Sequence, residues 1–366
     1  MKKIRVGILF GGKSAEHEVS LQSAKNVLAA LDKDKYEAVL IGIDKNGRWH
    51  WYQDSMDLLN ENSPASIKLN PTGRLLALIP GGENGQIICL DGENALGQID
   101  VIFPILHGPY GEDGTVQGLL KLANLPFVGA GVVGSAVGMD KDVMKRLLKA
   151  DGIPIADFLV FDYGNRDQIS FDEVKSRLGL PLFVKPANMG SSVGISKVSD
   201  EKSFEAAIDR AFQYDTKIII EENIRGREIE CSVLGNENPV ASLPGEILPQ
   251  AEFYSYEAKY IDENGAVLKV PAKLPPDKVK EIQELSLRTY ASLCCEGMAR
   301  VDFFLKDNGE LVVNEINTIP GFTRISMYPK LWEATGLNYS QLIDRLIDLA
   351  LKRYEREKAL KTNVDL

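Results

Sequence analysis

The chain is poor in the residues from which disulfide frameworks and metal clusters are built. Among its 366 residues there are four cysteines and three histidines. The cysteines stand alone (Cys89, Cys231) or adjacent (Cys294, Cys295), without the spacing of metal ligands. We therefore expect reduced thiols in a cytoplasmic protein and no His-rich metal site.

Long apolar runs and a surplus of basic residues are also lacking. Segments such as residues 101–106 and 218–220 are far shorter than the roughly 20 residues of a membrane-spanning helix. The basic start, residues 1–5, is followed by glycines and by no small-residue cleavage site, so it is not a signal peptide. The formal net charge of −10 disfavours a nucleic-acid partner. A locally basic cleft would still accept an anionic nucleotide.

The length of the chain exceeds one ordinary core and predicts two or three domains that share a cleft. Apolar strand patterns at residues 4–10, 37–43 and 100–106 alternate with a helical pattern at residues 20–31. This alternation predicts an α/β unit with a parallel sheet. Residues 53–98 are rich in Asn, Pro and Gly and give only weak signals.

The remainder of the chain has an α+β pattern. Asp140 is placed to cap a helix over residues 141–150, and residues 275–277 open a second helix that runs to about residue 295. Strands are predicted at residues 182–185, 217–222, 228–234, 299–306 and 310–316. The sequence Asp-Asn-Gly at residues 307–309 predicts a hairpin turn between the last two strands.

One stretch matches a phosphate-binding motif in spelling only. Residues 7–14 satisfy the P-loop pattern G-x-x-x-x-G-K-S. In a P-loop the four middle residues form the phosphate cradle after the strand has ended, whereas here Ile-Leu-Phe-Gly belongs to the strand itself. We therefore expect Lys13 not to contact phosphate.

The strongest chemical signal lies in the predicted hairpin near the C-terminus. Side chains two apart on a strand share a face, so Arg300 lies beside Asp302. Glu315 lies beside Asn317 on the neighbouring strand, and all four can converge. Two carboxylates and an amide oxygen suit Mg²⁺ that carries a nucleotide phosphate. A solvated face with cross-strand salt bridges is the alternative, although the turn at Pro320-Gly321 favours the metal site by bringing backbone N–H groups near.

Two further segments suit a nucleotide. A strand delivers Lys185, and the small-residue loop at 187–194 can close over phosphates with backbone amides and hydroxyls. The strand at 218–222 continues into residues whose backbone can pair with an adenine edge, and Glu228 can accept from ribose hydroxyls. A plain connecting loop and an ordinary edge strand are the alternatives for these segments taken alone.

Taken in order along the chain, these residues resemble those of the ATP-grasp superfamily. The set is Lys141, Lys185, the loop at 190–194, residues 221–224, Glu228, Asp302, Glu315 and Asn317. Four segments are similar to signatures of the D-alanine–D-alanine ligase family: GGKSAEHEVS at 11–20, HGPYGEDG at 107–114, YEAKY at 256–260 and EINTIPGFT at 315–323. The resemblance covers residues 4 to 350.

The resemblance implies an architecture and a reaction. The fold would be an N-terminal α/β domain with a parallel sheet (residues 1–125) and an α+β ATP-grasp module. That module has a central lobe (126–226) and a C-terminal lobe (227–366), which carries the substrate site and a lid at about 250–272. Two D-alanines would be joined through a D-alanyl phosphate, with ADP and phosphate as the other products. The cofactor would be two Mg²⁺ ions, with Mn²⁺ as a substitute.

The resemblance also implies a biological setting. The protein would be a cytoplasmic homodimer that binds ATP and D-alanine, without a nucleic-acid or membrane partner. Its dipeptide would serve peptidoglycan synthesis, and so cell-wall biogenesis and cell shape.

The implied site residues fall into four groups. The ATP-binding group is Lys141, Lys185, Gly190, Ser191, Ser192, Glu221, Glu222, Ile224 and Glu228. The metal ligands are Asp302, Glu315 and Asn317. The catalytic group is Glu16, Ser191, Tyr260, Arg300, Gly321 and Ser326. The substrate-binding group is Glu16, His107, Lys259, Arg300 and Ser326.

The resemblance gives roles to these groups. Glu16 would bind the ammonium of the first substrate and form hydrogen bonds with Ser191 and Tyr260. The side chain of Arg300 and the N–H of Gly321 would stabilise the oxyanion. The carboxylate of the second substrate would contact Lys259 and Ser326, and the first carboxylate would lie near His107.

Two other functions stay open. One is an ATP-grasp ligase for a different acid and amine, against which the segment at 256–260 and the Glu16 loop argue. The other is a nucleotide-binding regulatory protein without turnover, against which the intact set of Arg300, Asp302, Glu315 and Asn317 argues. Phosphate release that depends on D-alanine would separate these functions.

Overall fold

The first sheet combines parallel and antiparallel strands. The computed structural model describes residues 2–53, 69, 73–82, 86–92, 96–249 and 266–361. The strands of this sheet are β1 (Ile4–Gly11), β2 (Tyr36–Ile43), β3 (Trp49–Tyr52), β4 (Arg74–Leu78), β5 (Ile87–Cys89) and β6 (Val101–Ile105), in the order β5-β4-β3-β2-β1-β6. β1 pairs in parallel with β2 and β6. The predicted parallel sheet is therefore correct for these three strands, and β3, β4 and β5 extend it in antiparallel fashion.

The helices occur throughout the described residues. They are α1 (His17–Ala30), α2 (Thr115–Leu122), α3 (Val132–Met139), α4 (Lys141–Ala150), α5 (Phe171–Leu178), α6 (Glu201–Ala211), α7 (Pro276–Ser292), α8 (Met327–Ala334) and α9 (Tyr339–Lys358), with a 3₁₀ turn at Tyr163–Gln168. The predicted start of α4 is confirmed, since the Asp140 side chain accepts from Val143 N at 3.1 Å. None of the helices among the described residues is long and apolar enough to cross a membrane.

Helices cover both faces of the first sheet. Val6 and Ile8 pack in one apolar core with α1 and α9, and Leu9 on the other face packs with α2. Hydrogen bonds also hold α9 to this part of the chain. The buried guanidinium of Arg353 donates to the carbonyl oxygens of Phe127 and Gly129. The C-terminal helix therefore belongs to the core of the N-terminal sheet.

The second sheet has one apolar and one polar face. Its strands are β7 (Phe158–Asp162), β8 (Leu182–Pro186), β9 (Ser196–Val198) and β10 (Lys217–Glu222), in the antiparallel order β7-β10-β8-β9. Val184 and Ile220 pack against α5 and α6. Because side chains alternate along a strand, the neighbouring Lys185 and Glu221 point to the opposite face.

The third sheet is antiparallel throughout and includes the predicted hairpin. Its strands are β11 (Arg227–Gly235), β12 (Val240–Ala241), β13 (Gly245–Pro249), β14 (Ala266–Lys269), β15 (Gly297–Leu305) and β16 (Leu311–Asn317). The order is β14-β13-β11-β15-β16, with β12 beside β11. Ile282 and Leu285 of α7 and Met144 and Leu148 of α4 cover one face.

A β-bulge in β16 determines which side chains of this strand point to the apolar core and which to the polar face. Asp302 lies opposite Glu315, whereas the next residue, Phe303, lies opposite Val313. Two residues of β16 therefore face one residue of β15. Strict alternation would place Val313 and Ile316 on opposite faces, yet both are buried in the same core. The extra residue allows this packing and keeps Glu315 beside Asp302.

The predicted lid lies mostly outside the described residues, whereas all four cysteines lie within them. Residues 250–265 of the lid lie outside the described residues, and residues 266–269 form β14, which pairs with β13.

All four cysteines are free, and Cys294 alone is exposed. The prediction of unpaired thiols is therefore confirmed.

Candidate active site

A cleft of about 600 Å³ lies between the polar faces of the second and third sheets. Each predicted site residue that the structure describes lines this cleft: Glu16, His107, Lys141, Lys185, Gly190, Ser191, Ser192, Glu221, Glu222, Ile224, Glu228, Arg300, Asp302, Glu315, Asn317, Gly321 and Ser326. Lys259 and Tyr260 lie outside the described residues. The fold thus brings residues that are up to about 300 positions apart in the sequence, from Glu16 to Ser326, into one site.

The acidic hairpin face is organised around Arg300. Its guanidinium donates to both carboxylate oxygens of Asp302 at 2.7 Å. Its Nε also lies 2.9 Å from Glu230 Oε2, on the neighbouring strand β11. Asn317, which lies opposite Arg300, donates through Nδ2 to Asp302 at 2.9 Å. The predicted convergence of these side chains is therefore correct.

The donor set on this face fits a hard divalent cation. Asp302 and Glu315 supply two carboxylates at one register position. The Asn317 amide, whose nitrogen contacts Asp302, carries a third oxygen on the same face. In the part of the chain that the structure describes, no group of three His, Cys, Asp or Glu side chains forms a closed metal site. An ion held by this set would accordingly need further oxygen ligands, such as those of a phosphate.

Lys141 and Lys185 line the opposite wall of the cleft, and the buried Lys145 lies behind them. Lys185 Nζ lies 2.5 Å from Glu221 Oε2, and Lys145 Nζ lies 3.1 Å from the other oxygen, Oε1. Burial alone would raise the pKa of Glu221, but the two lysines outweigh it and lower the pKa to about 2. Lys141 Nζ donates to the Met189 carbonyl at 2.6 Å and lies 3.9 Å from Glu315.

The small-residue loop after β8 contacts the first domain. Ser191 Oγ donates to Glu16 Oε1, the contact that the family resemblance implies. Ser191 and Ser192 adopt left-handed backbone angles, with φ of 50° and 60°, which are uncommon for residues that carry a side chain. A Cβ at Gly190 would lie 3.0 Å from Glu16 Oε2. The loop therefore packs directly on the carboxylate of Glu16.

The turn after β16 is held at Ile319. Its N–H donates to Glu112 Oε1 at 3.3 Å, and its carbonyl is 3.2 Å from His107 Nδ1. Glu112 also accepts from Gly108 N at 2.7 Å. Burial, together with nearby Glu16, raises the pKa of Glu112 to about 8. Residues 107–112 thus fix both backbone groups of Ile319, two positions before Gly321.

Gly321 and Ser326 lie side by side. A Cβ at Gly321 would be 2.7 Å from Ser326 Oγ, so a larger residue there would displace the Ser326 hydroxyl. Ser326 Oγ accepts from Thr323 N at 2.9 Å. The N–H of Gly321 and the hydroxyl of Ser326 are thereby placed on one rim of the cleft.

Comparison with known proteins finds relatives that match nearly the whole chain. The family models for the D-ala D-ala ligase N-terminus and C-terminus match residues 5–130 and 147–348. The D-alanine–D-alanine ligase of Shouchella clausii is 57% identical over 364 residues, which are 100% of this chain and 99% of that protein. The chain belongs to the D-alanine–D-alanine ligase family. The sequence-based assignment to this family is confirmed.

Two other members of the family support the assignment. D-alanine–D-alanine ligase A of Escherichia coli K12 is 56% identical over 364 residues and is covered completely, as is this chain. The solved D-alanine–D-alanine ligase of Coxiella burnetii is 41% identical. It matches with a TM-score of 0.85 over 98% of this chain and 97% of its own. The fold-class prediction is therefore confirmed too.

The P-loop look-alike lies apart from the phosphate-binding wall. β1 extends through Gly11, so the four middle residues of the motif belong to the strand, as predicted. Lys13 is exposed and is not among the residues that line the cleft. The residues that match the P-loop pattern therefore form the end of a strand and not a phosphate-binding loop.

Three charged residues of the site were not predicted from the sequence. Lys145 follows Lys141 by four positions and so shares its helix face, which is a weak signal. Glu230 follows Glu228 by two positions on β11 and shares its strand face. Glu112 lies in the family-like segment at 107–114, but nothing in the sequence around it indicates a chemical role. All three are buried partners of groups that face the cleft.

Proposed function

We propose that this protein joins two molecules of D-alanine into D-alanyl-D-alanine, with conversion of ATP to ADP and phosphate. The observation that carries the proposal is one cleft with three kinds of binding group. Lys141 and Lys185 suit phosphates, the acidic hairpin face suits Mg²⁺, and Glu16 suits an ammonium group. Membership of the D-alanine–D-alanine ligase family over the full length supports the same substrates.

The first step activates a carboxylate. An oxygen of the first D-alanine attacks the γ-phosphorus of ATP, the bond from that phosphorus to the bridging oxygen breaks, and ADP leaves. Lys141 and Lys185 neutralise phosphate charge during the transfer. Mg²⁺ bound by Asp302, Glu315 and Asn317 would supply further charge neutralisation at the phosphates. The product of this step is a D-alanyl phosphate.

The second step forms the peptide bond. The amine of the second D-alanine, after loss of its ammonium proton, attacks the acyl carbon, and phosphate departs. Negative charge develops on the acyl oxygen, where the Arg300 guanidinium and the Gly321 N–H would stabilise it. Ser326 would hold the second carboxylate, and Glu16 the ammonium of the first D-alanine. Lys259 and Tyr260 would act with Ser326 and Glu16 respectively.

His107 is better suited to support the protein backbone than to bind the substrate. Both its ring nitrogens have protein partners, the Ile319 carbonyl at 3.2 Å and Ser23 Oγ at 3.4 Å. Burial lowers the pKa of His107 to about 4, so the ring is neutral at neutral pH. A neutral ring attracts a carboxylate weakly. We therefore assign His107 to the support of the Ile319 backbone next to Gly321.

The cellular setting follows from the substrates. ATP and D-alanine would be used in the cytoplasm, and the dipeptide would enter peptidoglycan synthesis. A homodimer is expected from the family resemblance.

Phosphate release tests the function. The purified protein is given ATP and Mg²⁺ with D-alanine, with L-alanine, or with no amino acid, and products are identified by mass spectrometry. We expect phosphate and D-alanyl-D-alanine only with D-alanine. ATP binding without D-alanine-dependent turnover would indicate the regulatory alternative. Turnover only with D-alanine plus a different acceptor, such as D-serine or D-lactate, would indicate a ligase of different specificity.

A further inference from the structure

A carboxylate shared by two lysines lies at the back of the cleft. Each oxygen of Glu221 has its own lysine, Lys145 at Oε1 and Lys185 at Oε2. The side chain of Glu221 is 4% exposed. Two lysines therefore share one carboxylate, so one of them can move away without leaving Glu221 unpartnered. Burial lowers the pKa of Lys145, and so does the neighbouring Lys185, while Glu221 acts in the opposite direction.

The two lysines differ in their access to ligands. Lys185 belongs to β8, lines the cleft, and has 13% of its side chain exposed. Lys145 belongs to α4, is 1% exposed, and is not among the residues that line the cleft. A ligand can therefore reach Lys185 but not Lys145.

We propose that Lys145 is a positioning residue that stays paired with Glu221, so that Lys185 is free to leave this carboxylate for a phosphate of the bound nucleotide. The inference rests on the proposed function, because it takes a nucleotide as the ligand of the cleft. Lys145 itself touches no substrate.

The energetic argument concerns the carboxylate that Lys185 leaves behind. A buried carboxylate without a counter-ion is strongly unfavourable, and breaking a buried ion pair by removing one partner is far more destabilising than breaking an exposed one. With Lys145 in place, Glu221 keeps one cation when Lys185 turns to a phosphate. Without Lys145, Glu221 would hold Lys185, and phosphate binding would have to compete with that pair.

Calorimetric titration with ADP and with adenosine tests the proposal. Lys145→Met removes the charge at similar length, and Lys149→Met, at an exposed position of the same helix, is the matched control. We expect Lys145→Met to weaken ADP binding about ten- to a hundredfold, the range that follows from one unmade hydrogen bond to a charged group. Adenosine binding should be unchanged because adenosine has no phosphate. Lys149→Met should bind both ligands as the wild type does.

A double variant separates positioning from a purely structural role. Glu221→Gln keeps the backbone groups expected to pair with adenine but removes the carboxylate that would hold Lys185. The double variant, Lys145→Met with Glu221→Gln, should therefore bind ADP within about threefold of Glu221→Gln alone. This variant carries no unpaired buried carboxylate, so it also provides the test if Lys145→Met alone does not fold.

The outcomes are distinct. Equal ADP affinity of the wild type and Lys145→Met would overturn the role of Lys145, as would a double variant that binds ADP tenfold or more weakly than Glu221→Gln alone. Parallel weakening of ADP and adenosine in Lys145→Met would also overturn it, since that pattern indicates a distorted adenine pocket. A wild-type protein that binds no ADP would instead refute the proposed nucleotide site itself.

Discussion

The buried His107 should make the stability of the folded protein fall in mild acid. Its ring is 5% exposed and lies between Ser23 and the Ile319 carbonyl. Burial and the nearby Arg300 lower its pKa from 6.5 to about 4, although the Ile319 carbonyl acts in the opposite direction. The perturbation we choose is His107→Asn, because the asparagine amide can still donate to that carbonyl but does not titrate.

The sign and size of the effect follow from proton linkage. Between pH 6.5 and pH 4 the unfolded chain binds a proton at His107 that the folded chain does not bind. The stability due to the neutral buried ring is therefore present above pH 6.5 and is lost as the pH falls toward 4. Between pH 7 and pH 5 this single group lowers the free energy of unfolding by about 2 kcal/mol.

Urea unfolding at pH 7, 6 and 5 measures the effect. The transition should be followed by both tryptophan fluorescence and circular dichroism, because a chain of several domains need not unfold in one step. The loss of stability between pH 7 and pH 5 should be smaller in His107→Asn than in the wild type by about 2 kcal/mol. Parallel losses in the two proteins would refute the assignment of a buried neutral His107.

Two further predictions concern the walls of the cleft. Glu315→Gln should lower turnover by about two orders of magnitude or more and weaken Mg²⁺-dependent ATP binding, since one hard ligand is lost. Glu310→Gln, on the same hairpin, is the control, and a Glu315→Gln enzyme with normal Mg²⁺ dependence would contradict the metal site. Lys185→Met should weaken ATP binding sharply in calorimetry, whereas Lys13→Met should change it far less. The reverse ranking would support the P-loop hypothesis.

The parts of the fold that depend on local signals were predictable from the sequence. α4 begins where Asp140 can cap it, because the capping hydrogen bond joins residues three apart. β10 covers residues 217–222 as predicted, since its apolar run ends at charged residues. The hairpin of β15 and β16 is specified by the turn at 307–309. The convergence of acidic side chains follows from this pairing and the strand period.

Other parts depend on contacts distant in sequence and were not predictable. β3, β4 and β5 are short, and most of their residues are only partly buried, so they have little hydrophobic periodicity. The bulge in β16 arises from register against β15 and has no signal in the sequence of either strand alone. The role of Glu112 depends on Ile319, which is 207 positions away.

The least predictable part of the site is its internal charge balance. Arg300 is paired with Asp302 and Glu230, Lys185 with Glu221, and Lys141 lies 3.9 Å from Glu315. Each pairing compensates a charge that would be unfavourable if it were buried alone. Under the proposed function, phosphates contact the lysines and a cation contacts Asp302 and Glu315, so these pairs separate together. A phosphate alone would leave Glu315 without Lys141, and a cation alone would leave Arg300 with Glu230 only. Under the proposed function, binding of either ligand would therefore favour binding of the other, which is a reciprocal coupling between the two walls of the cleft.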